Sequence, residues 1–292
     1  MSGIFTAIGH VAVVSPSGPA DPELVKSGAA ALESHGIKVS IMPNIGLKDD
    51  ARPWLSASRQ ARLDDLHRAF NDPTVDMVIC ARGGFGAAHL LDGINYDLLR
   101  ERDLPVLGYS DITSLHLAML SRSAGRPWAA PMAIRLERLF NDSEAIKRLA
   151  PLFDERPSEL GKLSILRGES GLTALPIAAN LTVLAAQCGS SYLPDFTGRL
   201  LILEDIGEAG YRLDRCLTQL ALNGVFHQAA GVIFGQFTDC AKKEELQLLF
   251  ESQLPLLPDF VAAGLEFGHE WPTVCIDQTR RVRVGSDALF TV

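Results

Sequence analysis

Leu104-Pro105-Val106-Leu107-Gly108-Tyr109-Ser110-Asp111-Ile112-Thr113 reads as a buried strand that runs straight into a helix. The apolar run with its Pro and Gly predicts the strand, and the spacing of Ile112, Leu115, Ala118 and Met119 predicts a helix from Asp111 onward. Ser110 is therefore expected on a sharp strand-to-helix turn. In an open α/β sheet that position lines the ligand crevice, where a helix amino terminus offers unpaired N–H groups to a developing oxyanion. A serine nucleophile belongs in such a place. The G-x-S-x-G elbow is absent, however, and a serine there serves equally as an N-cap.

Outward from this stretch, strand and helix signals alternate. His10 to Val14 predicts a strand ending at Ser15-Pro16-Ser17-Gly18. Asp21-Pro22 supplies a cap and a first-turn proline for a helix to about His35, closed by Gly36. Lys38 to Met42 follows as a strand, Ser58 to Phe70 as a helix, and Val75 to Cys80 as a third strand leading into Arg82-Gly83-Gly84-Phe85-Gly86. A helical piece near Ala87 to Leu91 precedes the Pro105 to Gly108 strand. The alternation implies βαβ units and a parallel sheet.

After a further helix around Ser143 to Leu152 the texture changes, so residues 1–156 are expected to form one α/β domain and residues 157–171 a linker. Residues 172–292 would form the second domain, with strands at Arg199 to Glu204, Gly231 to Phe237, Thr273 to Ile276, Arg281 to Val284 and Ala288 to Val292. The last three leave no room for helices, which predicts an antiparallel or barrel-like part.

The chain of 292 residues carries a formal charge of −8, which disfavours a phosphate-backbone binder, so no nucleic-acid partner is expected. Met1 to His10 lack the basic start and long apolar core of a secretory leader, and no run is long enough to span a membrane; a cytoplasmic location is expected. Five cysteines without C-x-x-C spacing read as reduced thiols rather than disulfides or metal ligands.

A serine hydroxyl needs a base within hydrogen-bond reach, and the base needs an acceptor to orient it. Of seven histidines, His269 stands out in Gly268-His269-Glu270-Trp271-Pro272, a loop bounded by glycine and proline, although loop histidines are commonly just solvated. Glu204 ends the apolar run Leu200 to Leu203, and a carboxylate at the end of a strand buried on both faces needs a partner. That partner is either the base or an arginine such as Arg212 or Arg215, while Asp205 and Glu208 read as helix-start and solvated charges. The Arg82 to Gly86 glycines suit a phosphate cradle, an oxyanion donor or a plain tight turn; no nucleotide fingerprint follows them.

Together these pieces resemble the serine LD-carboxypeptidases of the muramoyl-tetrapeptide carboxypeptidase and microcin C immunity peptidase type. The resemblance rests on Arg82 to Gly86, Gly108 to Thr113, Leu203-Glu204-Asp205 with Tyr211-Arg212-Leu213-Asp214-Arg215, Gly268-His269, the Ser15 to Gly18 loop and Asn180-Leu181. It implies Ser110 as nucleophile, His269 as general base and acid, and Glu204 as the acceptor that orients the imidazole. It also implies backbone N–H groups of Asp111 and of Gly83 or Gly84 as the oxyanion hole, with Arg82 and Asn180 positioning substrate. The fold implied is an amino-terminal three-layer parallel-sheet domain, like class I glutamine amidotransferases, with a carboxyl-terminal swivelling-type β/α domain.

The activity implied is metal-independent and cofactor-free hydrolysis of the L,D-peptide bond of a murein tetrapeptide, by a homodimer. Cleavage of a peptidyl-nucleotide antibiotic is the alternative within the same chemistry, and a non-enzymatic peptide- or nucleotide-binding protein the alternative outside it. The chain departs from the family at Ala178-Ala179, at Ala129-Ala130 before Pro131-Met132, and at Asp277-Gln278-Thr279. These departures bear on the substrate and leave Ser110, Glu204 and His269 in place.

Overall fold

The protein was analysed as a computed structural model that describes residues 8–292. Residues 1–7, part of the stretch read for a leader, lie outside the described residues. In chain order the amino-terminal half contains β1 (His10–Val14), α1 (Pro22–Glu33), β2 (Lys38–Ile41), α2 (Arg59–Asn71), β3 (Met77–Cys80), α3 (Tyr96–Arg102) and β4 (Pro105–Gly108). It continues with α4 (Thr113–Ser121), β5 (Arg126–Ala129), α5 (Leu136–Phe140) and α6 (Ser143–Leu149). The expected caps are in place: the Asp21 side chain accepts from Glu23 N, and that of Ser58 from Ala61 N at 3.3 Å.

Parallel strands make a sheet buried on both faces, which is why β1, β3 and β4 read as unbroken apolar runs. Alternation along β1 divides the core. Ala12 and Val14 pack with α2, α3 and α4 through Leu66, Phe70, Leu99 and Leu115, while Val11 and Val13 pack with α1, α5 and α6 through Val25, Leu32, Leu136 and Leu149. The result is a three-layer α/β/α domain, as expected.

The carboxyl-terminal half contains β6 (Glu159–Lys162), β7 (Ser164–Arg167), β8 (Thr173–Ala174), β9 (Pro176–Asn180), α7 (Leu181–Ala186), β10 (Leu200–Ile206), α8 (Gly210–Leu222) and α9 (Val225–Gln228). After these come β11 (Gly231–Thr238), α10 (Lys243–Gln253), β12 (Phe260–Ala263), β13 (Ile276–Asp277), β14 (Val282–Val284) and β15 (Ala288–Thr291). Strands β9 to β12 run parallel, and β7 closes their sheet antiparallel to β12. Leu201 and Leu203 of β10 face α7 and α8, whereas Leu200 and Ile202 face a second, antiparallel sheet ordered β6-β15-β14-β8. The antiparallel expectation for the chain end therefore holds for β14 and β15.

Two expectations about the domain junction change. Residues 157–171 are not a bare linker, because β6 and β7 lie within them and each pairs into a sheet of the second half. The stretch Thr273 to Ile276 does not stay with that half either. Ile276 and Asp277 of β13 pair antiparallel with Ala129 and Trp128, so the first sheet reads β13-β5-β4-β3-β1-β2 and gains its edge strand from the far end of the chain. Among the described residues no helix is long and apolar enough to cross a membrane.

Candidate active site

β1, β3 and β4 are neighbours in the first sheet, so the loops at their carboxyl ends converge. From β4 the chain enters Tyr109 extended, then Ser110 at φ +64°, then a tight turn over Ser110–Ile112 before α4. The helix predicted from Asp111 thus begins one tight turn later. A left-handed serine costs about 1–2 kcal/mol, and Ser110 lines a cleft from this elbow. No side-chain cap occurs at either start, so the hydroxyl is not an N-cap.

The glycine loop after β3 lies against this elbow. A Cβ added to Gly83 would stand 3.0 Å from both Cβ and Oγ of Ser110 and 3.6 Å from the backbone nitrogen of Asp111, so only glycine allows the approach. Gly84 takes φ +112°, and Gly18 N donates to Gly83 O at 3.1 Å, which ties the loop to the one after β1. The Asp111 carboxylate fixes all three loops: its Oδ2 accepts from Ser17 Oγ at 2.6 Å and from Ala87 N at 2.9 Å. Buried Arg62 adds to the floor, donating from Nη1 to Pro16 O at 2.5 Å and Gly86 O at 2.9 Å. In this setting Gly83, Gly84 and Ser110 line one cleft, with the Asp111 backbone nitrogen at the same elbow.

Glu204 lies in β10, which runs two residues beyond the expected end to Ile206 and has an irregularity between Leu203 and Asp205, and its side chain has no exposed surface. Burial pushes its carboxyl above the usual carboxylate range, and the hydrogen bond from His269 works against that rise. His269 Nδ1 lies 2.7 Å from Glu204 Oε2, and Asn180 Nδ2 donates to Oε1 at 3.3 Å. Arg212, the alternative partner, instead pairs with Glu208 at the surface. The His269 side chain is only 14% exposed, so it is not a solvated loop residue. Its ring meets Tyr109 edge-on at 5.0 Å between centroids. With Nδ1 turned to Glu204, Nε2 faces the other way, and His269 shares with Ser110 a cleft of about 160 Å³ between the two halves.

Ser110, Glu204, His269, Gly83, Gly84 and Asp111 thus come together. Arg82 lines the same cleft beside Gly84 and donates weakly to Pro19 O at 3.3 Å. Asn180 sits elsewhere than expected, buried behind Glu204 with its side chain shared among Glu204, Asp205 and the start of α7. Asp205 also differs from its surface reading. It is 2% exposed and accepts from Asn180, from the Thr182 amide and hydroxyl, and from Ile206 N.

Sequence reasoning missed Arg135, which lines the cleft three residues after Met132, and Tyr109, whose ring packs on His269. The only signal for Arg135 is a cation just past the carboxyl end of a strand.

The LD-carboxypeptidase N-terminal domain model matches residues 11–126, and the LD-carboxypeptidase C-terminal domain model matches residues 174–284. The chain is 32% identical over 251 residues to the murein tetrapeptide carboxypeptidase of Pseudomonas aeruginosa, which spans 81% of this chain and 79% of the relative. Its fold matches that of the muramoyltetrapeptide carboxypeptidase from Oxalobacter formigenes with a TM-score of 0.83 at 22% identity, covering 97% of both chains. An MccF-like protein from Bacillus anthracis gives a TM-score of 0.85 at 22% identity over 98% of this chain and 97% of its own.

Proposed function

The chain belongs to the LD-carboxypeptidase family, and on that premise we propose that it is a serine-type carboxypeptidase acting on murein tetrapeptides. It hydrolyses the terminal L,D-peptide bond and releases D-alanine. The observation that carries the reading is the 2.7 Å contact of His269 with fully buried Glu204 in the cleft that holds Ser110 on its left-handed elbow.

Ser110 Oγ attacks the scissile carbonyl while His269 Nε2 takes its proton. Glu204 holds the proton on Nδ1 and stabilises the imidazolium. The tetrahedral oxyanion rests on the N–H groups of Asp111 and of Gly83 or Gly84, which are fixed before substrate arrives. His269 then passes the proton to the leaving amine, D-alanine departs, and the same base activates the water that resolves the acyl-Ser110 ester. No step calls on a metal or cofactor. The reaction would be cytoplasmic, in cell-wall recycling, and carried by a homodimer. Asn180 acts by fixing Glu204 rather than by touching substrate.

Incubation with a murein tetrapeptide, followed by mass spectrometry, tests the reading. Loss of one alanine from the wild type and none with Ser110→Ala is expected. Labelling of Ser110 by a fluorophosphonate without alanine loss would redirect the same chemistry to a peptidyl-nucleotide. Absence of both would leave a binding protein.

A further inference from the structure

Among the described residues the cleft is lined by two arginines, Arg82 and Arg135, and by no carboxylate, in a chain whose net charge is −8. The two cations have different neighbours in that cleft. Arg82 belongs to the glycine loop, on the side where the oxyanion donors sit. Arg135 belongs with Tyr109: its guanidinium acts on the Tyr109 hydroxyl, opposing the upward push that burial gives it, and the Tyr109 ring packs on His269.

Chemistry assigns different jobs to these neighbourhoods. Once the scissile carbonyl oxygen points at Gly83, Gly84 and Asp111, the leaving nitrogen must face His269 Nε2. The terminal carboxylate is only two bonds beyond that nitrogen, so it falls beside His269 and Tyr109. Arg135 is the cation there. It is exposed to the cleft and forms no ion pair with a carboxylate among the described residues. Met132 and Ile134 complete that side with apolar surface suited to a methyl side chain. Resting on the carboxypeptidase reading, we infer that Arg135 is the specificity-determining residue that binds the free terminal carboxylate of the substrate. A guanidinium meets a carboxylate with two parallel hydrogen bonds, which separates a terminal residue from an internal one.

The test compares a murein tetrapeptide with its C-terminal amide, using wild type, Arg135→Gln and Arg135→Lys. Arg135→Gln should lower kcat/KM for the free acid by about 10- to 100-fold, the loss of a charged hydrogen-bonded contact. Cleavage of the amide should fall much less than that of the acid, so the acid-to-amide ratio drops, and Arg135→Lys should recover part of it. Fluorophosphonate labelling of Ser110 should be equal in all three, which shows an intact triad. An equal loss on acid and amide, or no loss on the acid, overturns the assignment of Arg135 alone. A wild type that is labelled but cleaves neither peptide overturns the murein reading and this inference with it.

Discussion

His269 Nδ1 stands 2.7 Å from Glu204 Oε2, and the carboxylate it meets is shut away from solvent. Asn180 donates to the other oxygen, Oε1, so in Glu204→Gln the amide oxygen keeps that place and the NH₂ turns toward His269. The imidazole must then accept at Nδ1 and carry its proton on Nε2, where it cannot receive the proton of Ser110. We expect kcat to fall about 10⁴-fold with KM little changed, read from tetrapeptide hydrolysis. The fold should gain. Because burial raises the Glu204 pKa, the folded state holds the proton more tightly than the unfolded chain does. Ionising it therefore costs stability as pH rises from the unfolded value through the raised one. Unfolding free energies of variant and wild type should diverge across that window in favour of Glu204→Gln and run parallel above it. Retained hydrolysis would remove Glu204 from the mechanism.

His116 joins the two halves. Fully buried on α4, its Nε2 donates to Val106 O at 3.0 Å, and its Nδ1 lies 3.2 Å from Gln278 Nε2, whose Oε1 accepts from Ala178 N at 3.0 Å. The Ala178 bond fixes Gln278 with its NH₂ toward His116, so the ring must be neutral with Nδ1 accepting. Burial accordingly pushes His116 down to about 4. A depressed histidine stabilises the fold above its unfolded pKa, near 6.5, and loses that contribution as pH falls toward 4. The full contribution is about 3 kcal/mol. His116→Gln should flatten the fall in stability between those pH values, at the cost of a lower plateau above them. A denaturation series with equal slopes for both proteins would refute the role of His116.

The strand, the elbow and the glycine loop were legible because each is a local signal: an apolar run, a helix start, three glycines in five residues. Glu204 was legible for a similar reason, since a carboxylate ending a doubly buried strand demands a partner within reach. Strands β9 and β12 escaped notice. Pro-Ile-Ala-Ala-Asn and Phe-Val-Ala-Ala are poor in β-branched residues, and only burial against neighbours makes them strands. Strand β13 is two residues long and crosses back to the other domain, which no periodicity could reveal. Asn180, Asp205 and Gln278 likewise owe their roles to groups far away in sequence, and Arg135 to a cleft that exists only when the halves meet.

The loop that delivers His269 is held by the other domain, two residues further on. Trp271 Nε1 donates to Asp142 Oδ2 at 2.8 Å, with the Arg138 guanidinium 4.9 Å above the indole, and Arg148 Nη1 donates to Pro272 O at 2.7 Å. Asp142 also caps α6, its Oδ1 accepting from Glu144 N at 3.0 Å and Ala145 N at 3.2 Å. In Asp142→Asn the amide oxygen is kept by the cap, because asparagine caps as well as aspartate, and the NH₂ is left facing the indole N–H. Two donors then oppose each other where a carboxylate met an N–H, which loosens the His269 loop against the cleft. We expect kcat to fall about 10-fold or more in Asp142→Asn, with slower labelling of Ser110 by a fluorophosphonate and an unaltered α6. Trp271→Phe removes the opposing donor, so Trp271→Phe/Asp142→Asn should be faster than Asp142→Asn alone. A double variant that simply multiplies the two single losses would mean that the contact does not position His269.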